Sequence, residues 1–235
     1  MAEKVELSVV ILCYRSGAGV VDFINKAENL IKTLTDSYEL VLVANYIEGS
    51  GDRTRDYVLK LADENPKCVA LCKPKEGMMG WDMRSGMDAA SGKYICVMDG
   101  DGQFPIESIS ACFKEIRKGE YDLVKTYRTK RGDGAYRRLI SKVYNLLFSV
   151  VFPGIGSQDA NSKPKILKAY AYEQMDLKSD DWFVDAEIML NIRDKKMTFF
   201  ELPIEFYELE GRSSFVKPAA IWEFIKNLYQ YRVGK

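Results

Sequence analysis

Two aspartates separated by a single residue, Asp99 and Asp101, close the apolar run at residues 93–98 and are followed by Gly102 and Gln103. Carboxylates at this spacing just past a strand can converge on one hard divalent cation. Mg2+ and Mn2+ take such oxygen ligands and leave positions open for substrate phosphates. Gly100 and Gly102 keep side-chain bulk away from an approaching diphosphate, and Gln103 can add a carbonyl oxygen. The same residues also fit an acidic turn in which Asp99 caps the next helix. No histidine occurs among the 235 residues. That excludes Ser-His-Asp and Cys-His nucleophile systems and HExxH zinc sites, and leaves acid-base work to carboxylates, Lys, Tyr or Cys.

The elements that must position these aspartates follow from hydrophobic periodicity. Residues 7–14 are almost continuously apolar and predict a strand buried on both faces, the mark of a parallel sheet. A helix is expected over about 20–34, a strand at 39–44, a helix at 53–64 with Asp52 as N-cap and a short strand at 68–72. A helix at 80–91 stopped by Gly92 and a strand at 93–98 complete the alternation. The order implies a mostly parallel central sheet flanked by helices on both faces. Such sheets bind ligands at the carboxyl ends of their strands, where Tyr14, Asn45 and Asp99 lie.

The second half is less regular. It predicts a helix at 105–118, a strand at 121–127, an amphipathic helix at 135–151 and a loop or short strand at 157–163. A helix at 164–175 opened by Pro164, a helix at 181–194, a strand at 197–207 and a closing helix at 218–231 follow. Leu146, Leu147, Val150, Val151 and Phe152 are expected in the core. A basic stretch, Lys125 to Lys142, fits a solvated helix face and loop, or contact with phosphates or an anionic membrane surface. With no repeat or linker, one domain over 1–235 is expected, with a regularly alternating half over 1–103 and a less regular half over 104–235.

Composition bounds the partners. Lys+Arg and Asp+Glu both number 34, a net charge of zero, which argues against a nucleic-acid binder. The hydrophobic set makes up 47%, enough to fill a core. Five cysteines (Cys13, Cys68, Cys72, Cys96, Cys112) are expected to be buried free thiols of a reducing cytoplasm. The longest apolar stretch, 143–152, falls short of the roughly 18–20 residues that span a bilayer. A soluble, cytoplasmic or peripheral protein is the expectation.

The ordered motifs carry a resemblance. Ser8-Val-Val-Ile-Leu-Cys-Tyr14, Tyr38 to Asn45, the helix Arg84-Ser-Gly-Met-Asp-Ala-Ala-Ser-Gly92 and Val97-Met-Asp-Gly-Asp-Gly-Gln103 resemble segments of the family 2 inverting glycosyltransferases, which have the GT-A (nucleotide-diphospho-sugar transferase) fold. Within them the chain is most similar to the dolichol-phosphate mannosyltransferase-like, polyprenyl-phosphate branch. Gln158 to Lys165, Trp182 to Glu187, Leu202-Pro-Ile204 and Gly211-Arg-Ser-Ser214 resemble its later landmarks. The chain departs from the family at Leu12 (usually Pro), Arg15 (Asn), Ser16 (Glu), Ala44-Asn45 (an acidic pair) and Glu208 (Arg).

The resemblance implies a metal-dependent transfer of a sugar from a nucleoside-diphosphate sugar to a polyprenyl phosphate or saccharide acceptor. It implies Mg2+ or Mn2+ at Asp99, Asp101 and Gln103, with Asp159 as general base or acceptor positioner. Donor contacts would come from Leu12, Tyr14, Asn45, Arg84, Asp99, Gly100, Asp101, Arg128, Arg131 and Arg212. Peripheral contact with the cytoplasmic membrane face, directly or through a membrane partner protein, goes with a lipid-phosphate acceptor. A catalytically inactive sugar-nucleotide-binding homologue and a sugar nucleotidyltransferase are the competing expectations. A dinucleotide oxidoreductase is weaker, because the third fingerprint glycine after Gly17 and Gly19 falls at Asp22.

Overall fold

The computed structural model describes residues 5–131, 145–207, 226–229 and 231–233. The first strands are β1 (Leu7–Leu12), β2 (Tyr38–Val43), β3 (Cys68–Leu71) and β4 (Tyr94–Asp99). Helices α1 (Gly19–Lys32), α2 (Thr54–Glu64), α3 (Met79–Ala89) and α4 (Glu107–Ile116) follow them in turn. Then come β5 (Leu123–Arg131), a helix α5 described over 145–151, β6 (Lys165–Lys168), α6 (Ala169–Glu173), α7 (Val184–Asp194) and β7 (Phe199–Phe206).

The sheet order is β3-β2-β1-β4-β6-β5-β7. Strands β1 to β4 are parallel, β6 runs antiparallel to both β4 and β5, and β7 is parallel to β5. Every residue of β1 is buried. Leu7, Val9 and Ile11 face one core with α1, α2 and α4, while Val10 and Leu12 face a second core with α3, α5 and α7. That two-sided burial is why the run is continuously apolar.

The expected helix at 164–175 is corrected. Residues 165–168 form an interior strand and only 169–173 are helical. Ile166 joins the first core and Leu167 the second, so this short segment has strand alternation. Its backbone fills the gap between β4 and β5. Reversal of β6 has a further effect. Its entry loop, 157–163, is delivered to the carboxyl ends of β4 and β5.

The other expected elements hold within a few residues. Asp52 caps one residue earlier than a formal N-cap, its Oδ1 accepting from the Thr54 N–H (3.0 Å) and hydroxyl (2.6 Å). Phe152 is buried as expected and Val151 packs partly buried against the second core, but Leu146 (62% exposed) and Val150 (70%) face outward. All five cysteines are free, and only Cys72 is not fully buried. The first part of the expected 135–151 helix, most of the 218–231 helix and the 211–214 segment lie outside the described residues.

Candidate active site at the carboxyl end of the sheet

Strand order reverses at β1, with β2 and β3 on one side of it and β4 on the other, so the carboxyl ends of β1 and β4 border the topological switch point where ligands bind in open α/β sheets. The Gly100 N–H donates to the Leu12 carbonyl (2.9 Å), tying the two strand ends together. A Cβ at Gly100 would stand 3.0 Å from Ile11 Cγ2 and 3.1 Å from the Leu12 oxygen, so any side chain here would press the two strand ends apart by a few tenths of an ångström. The Gln103 N–H donates to Asp101 Oδ1 (3.0 Å), and the Gln103 carbonyl accepts from the Tyr207 N–H (2.9 Å).

A cavity of about 660 Å³ opens here, walled by Arg15, Ser16, Lys26, Asp101, Phe104 and Tyr207 among others. Its size lies within the roughly 300–1,000 Å³ of small-molecule sites. Ser16 Oγ is buried with no hydrogen-bond partner among the described residues. Asp101 lines this cavity, whereas Asp99, a quarter exposed, meets Lys163 Nζ at 3.5 Å. Among the described residues no three or more acidic or thiol side chains cluster as a metal cage. Two carboxylates and an amide oxygen at this strand end are the oxygen donors that a hard cation would take.

A second group floors the ends of β1 and β2. Asn45 Nδ2 donates to Asp82 Oδ1 (2.9 Å), and Asn45 Oδ1 accepts from the Lys73 N–H (2.9 Å). Lys75 pairs with Asp82 and lies 4.3 Å above the Tyr14 ring centroid. Burial pushes the Asp82 carboxyl above the usual range, although Lys75 and Asn45 pull against it. Sequence reasoning missed Lys75 and Asp82. The signal for Asp82 was present, since it falls on the same helical stripe as Met79, Met83, Gly86 and Met87.

Arg84 does not join either group. Its guanidinium pairs with Asp180 and donates to the Leu177 carbonyl (3.3 Å). Arg131 ends β5, with its side chain outside the described residues, and Arg212 also lies outside them.

The loop before β6 carries the third group. Arg128 grips Asp159 with Nε on Oδ2 (2.6 Å) and Nη2 on Oδ1 (2.8 Å). Both side chains are about nine-tenths buried. Lys125 Nζ donates to the Asp159 carbonyl (2.6 Å) and Glu201 Oε1 (2.8 Å), and Glu201 also accepts from Ser157 and the Gln158 N–H. Lys163 and Lys165 share Asp185, at 3.1 Å and 2.5 Å. Burial works against the Asp185 charge, but the two lysines hold its carboxyl below the usual range. Burial with neighbouring cations lowers Lys165 to about 7. Buried lysines are rare unless paired, and Lys163, Lys165, Asp185 and Glu201 were not singled out from the sequence.

Comparison with known proteins agrees with this architecture. The chain is 30% identical over 144 residues to undecaprenyl-phosphate 4-deoxy-4-formamido-L-arabinose transferase of Serratia proteamaculans, covering 60% of this chain and 43% of that protein. It is 26% identical over 230 residues to dolichol-phosphate mannosyltransferase of Pyrococcus furiosus, covering 96% and 63%. The chain thus spans less than two thirds of either relative. Glucosyl-3-phosphoglycerate synthase of Mycobacterium tuberculosis, solved with Mn2+, UDP-glucose and phosphoglyceric acid, superposes with a TM-score of 0.73 at 15% identity, covering 97% of this chain and 80% of that one. This likeness shows a shared fold, that of the GT-A transferases. The profile described as "Glycosyl transferase family 2" matches residues 8–174, well over half of the chain, and the protein belongs to that family.

Proposed function

We propose that the protein transfers a sugar, with inversion, from a nucleoside-diphosphate sugar to a polyprenyl phosphate. The observation that carries this is the Asp99-Gly100-Asp101 turn at the switch point, with Asp101 opening on a cavity of about 660 Å³. The names of the Serratia and Pyrococcus relatives support a lipid-phosphate acceptor. A divalent cation held by Asp99 and Asp101, with Gln103 beside them, would supply positive charge to the departing diphosphate. Tyr14, Asn45 and the Leu12 and Gly100 backbone form the donor floor. Arg131 and Arg212 would meet phosphate, and Arg128 and Arg84 could do so only after releasing Asp159 and Asp180.

Both oxygens of Asp159 are held by Arg128, which favours positioning over proton abstraction. A phosphate acceptor suits that arrangement, because a phosphate monoester with a second pKa near about 6 is already anionic at neutral pH. The Lys163–Asp99 ion pair supports one domain in which the acceptor half braces the donor half. Among the described residues no helix is long and apolar enough to cross a membrane. Leu146 and Val150, exposed on α5, support peripheral contact with a lipid surface.

The test is a donor panel of UDP-, GDP- and CDP-sugars with polyprenyl phosphate and with saccharide acceptors, read by nucleoside-diphosphate release and by the product anomer. Release with polyprenyl phosphate and Mg2+ or Mn2+ is expected. Asp101→Asn should lower kcat at least about a hundredfold, the scale for losing charge stabilisation at a leaving group. Tight nucleotide binding with no turnover on any acceptor would instead identify an inactive homologue.

A further inference from the structure

Lys163 has an unusual position. Its ammonium is almost fully buried, yet it lies 3.5 Å from Asp99 Oδ1, whose side chain is 25% exposed at the mouth of the site. Its other anion is Asp185 Oδ2 at 3.1 Å, and Asp185 is occupied on its second oxygen by Lys165. The Lys163 backbone is pinned as well, its carbonyl accepting from Thr126 Oγ1 at 2.6 Å. Ion pairs with Asp185 and Asp99 hold this buried ammonium in its charged form. Asp185 is thus divided between two side chains, so it balances the Lys163 charge only in part and leaves the rest directed at Asp99. Lys163 cannot itself touch a substrate, so whatever it does at the site passes through Asp99.

We propose that Lys163 is a positioning residue that makes divalent-cation binding depend on the donor: its fixed positive charge behind Asp99 weakens the hold on a bare cation, and the donor diphosphate restores that hold. This inference rests on the proposed function. The physical basis is that a unit charge behind one ligand repels a dication in a partly dry site far more than it would in water. A bound diphosphate brings several negative charges and cancels the repulsion. By linkage, the cation and the diphosphate then raise one another's affinity by the same factor.

The test is Mn2+ binding followed by the free-ion EPR signal, with and without UDP, GDP or CDP, in the wild type, Lys163→Met, Lys163→Arg and Asp185→Asn. Lys163→Met should bind bare Mn2+ at least about tenfold more tightly, and its nucleotide enhancement should shrink by the same factor. Lys163→Arg keeps the charge and should restore the wild-type pattern. Asp185→Asn removes the competing anion, leaves more positive charge on Asp99, and should weaken bare Mn2+ several-fold. A purely structural role would weaken binding in both Lys163→Met and Asp185→Asn. If Lys163→Met does not fold, Lys163→Gln removes the same charge and should also tighten bare Mn2+, and unchanged or weaker affinity there overturns the inference. Wild-type binding with unchanged or weaker affinity in folded Lys163→Met overturns the inference alone. Wild-type protein that binds no Mn2+ with any of the nucleotides overturns the proposed function and this inference with it.

Discussion

Asp159 and Arg128 are 31 residues apart in the chain and form a two-bond ion pair in the fold. Each was separately legible, the acid from its place in the 158–165 motif and the arginine from the basic stretch. Their pairing was not, because it depends on the reversal of β6. The pair changes what Asp159 can do. A base must offer a lone pair to the acceptor, and this carboxylate offers both oxygens to a guanidinium. Asp159→Asn should therefore cost about 3 kcal/mol of stability, because a buried arginine loses its counter-charge. It should lower kcat while leaving the shape of the pH–rate profile unchanged. Urea melts and pH–rate curves check both, and loss of an acid limb in the variant would restore the base role. With no histidine in the chain, Lys165, lowered to about 7, joins a phosphate or a shifted carboxylate as a source of any titration near neutrality. The buried lysines escaped notice because residue type alone assigns lysine to the surface.

Among the elements, the four parallel strands and their helices were legible because a strand buried on both faces needs a continuous apolar run, and helix stripes follow a 3.6-residue period. Strand β6 was not. Four residues carry too little pattern, and Pro164 is as good an opening for a helix as for an edge of a strand. The interior gap between β4 and β5 decided the outcome, and only the assembled sheet contains that gap. A related dependence appears in α3. A Cβ at Gly86 would stand 2.3 Å from Val10 Cγ1 and 2.7 Å from Val43 Cγ2. Helix propensity favours alanine over glycine by about 1 kcal/mol. Overpacking against two buried valines opposes it at a cost of about 1–3 kcal/mol, so Gly86→Ala should destabilise by a net of up to about 2 kcal/mol. Gly19, at the start of α1, has nothing within 4 Å of its Cβ position, and Gly19→Ala should be neutral or slightly stabilising. Denaturant midpoints of the two variants separate packing from propensity, and equal shifts would show that α3 tolerates displacement from the sheet.

Across the whole molecule, buried titratable groups set how stability responds to pH. Lys165 falls to about 7 in the folded state because burial opposes its charge, against an ordinary 10.5. Between these values the unfolded chain holds more protons at this site, so Lys165 makes stability rise with pH from about 7 upward. Buried thiols act oppositely. Burial raises Cys68 to about 11 and Cys112 to about 12, and also raises Cys13, Cys72 and Cys96. Above about 8.5 the unfolded thiols lose protons that the folded ones keep, and stability falls. One rising contribution and five falling ones cross, so the maximum should lie between about pH 7 and 9. Below that window Lys165 contributes no slope. Asp185 is held low by Lys163 and Lys165 against its burial, and Glu28 and Asp122 are held low by hydrogen bonds against theirs. Their stabilisation is present above about pH 4 and is lost on further acidification. Urea midpoints measured from pH 6 to 10 should rise between about 7 and 8.5 in the wild type, by at most about 1.4 kcal/mol per pH unit. In Lys165→Met that limb should flatten while the alkaline fall remains. Parallel curves in the two proteins would mean that Asp185 keeps both lysines charged through neutrality, and the buried network would then carry a full set of charges at the catalytic edge of the sheet.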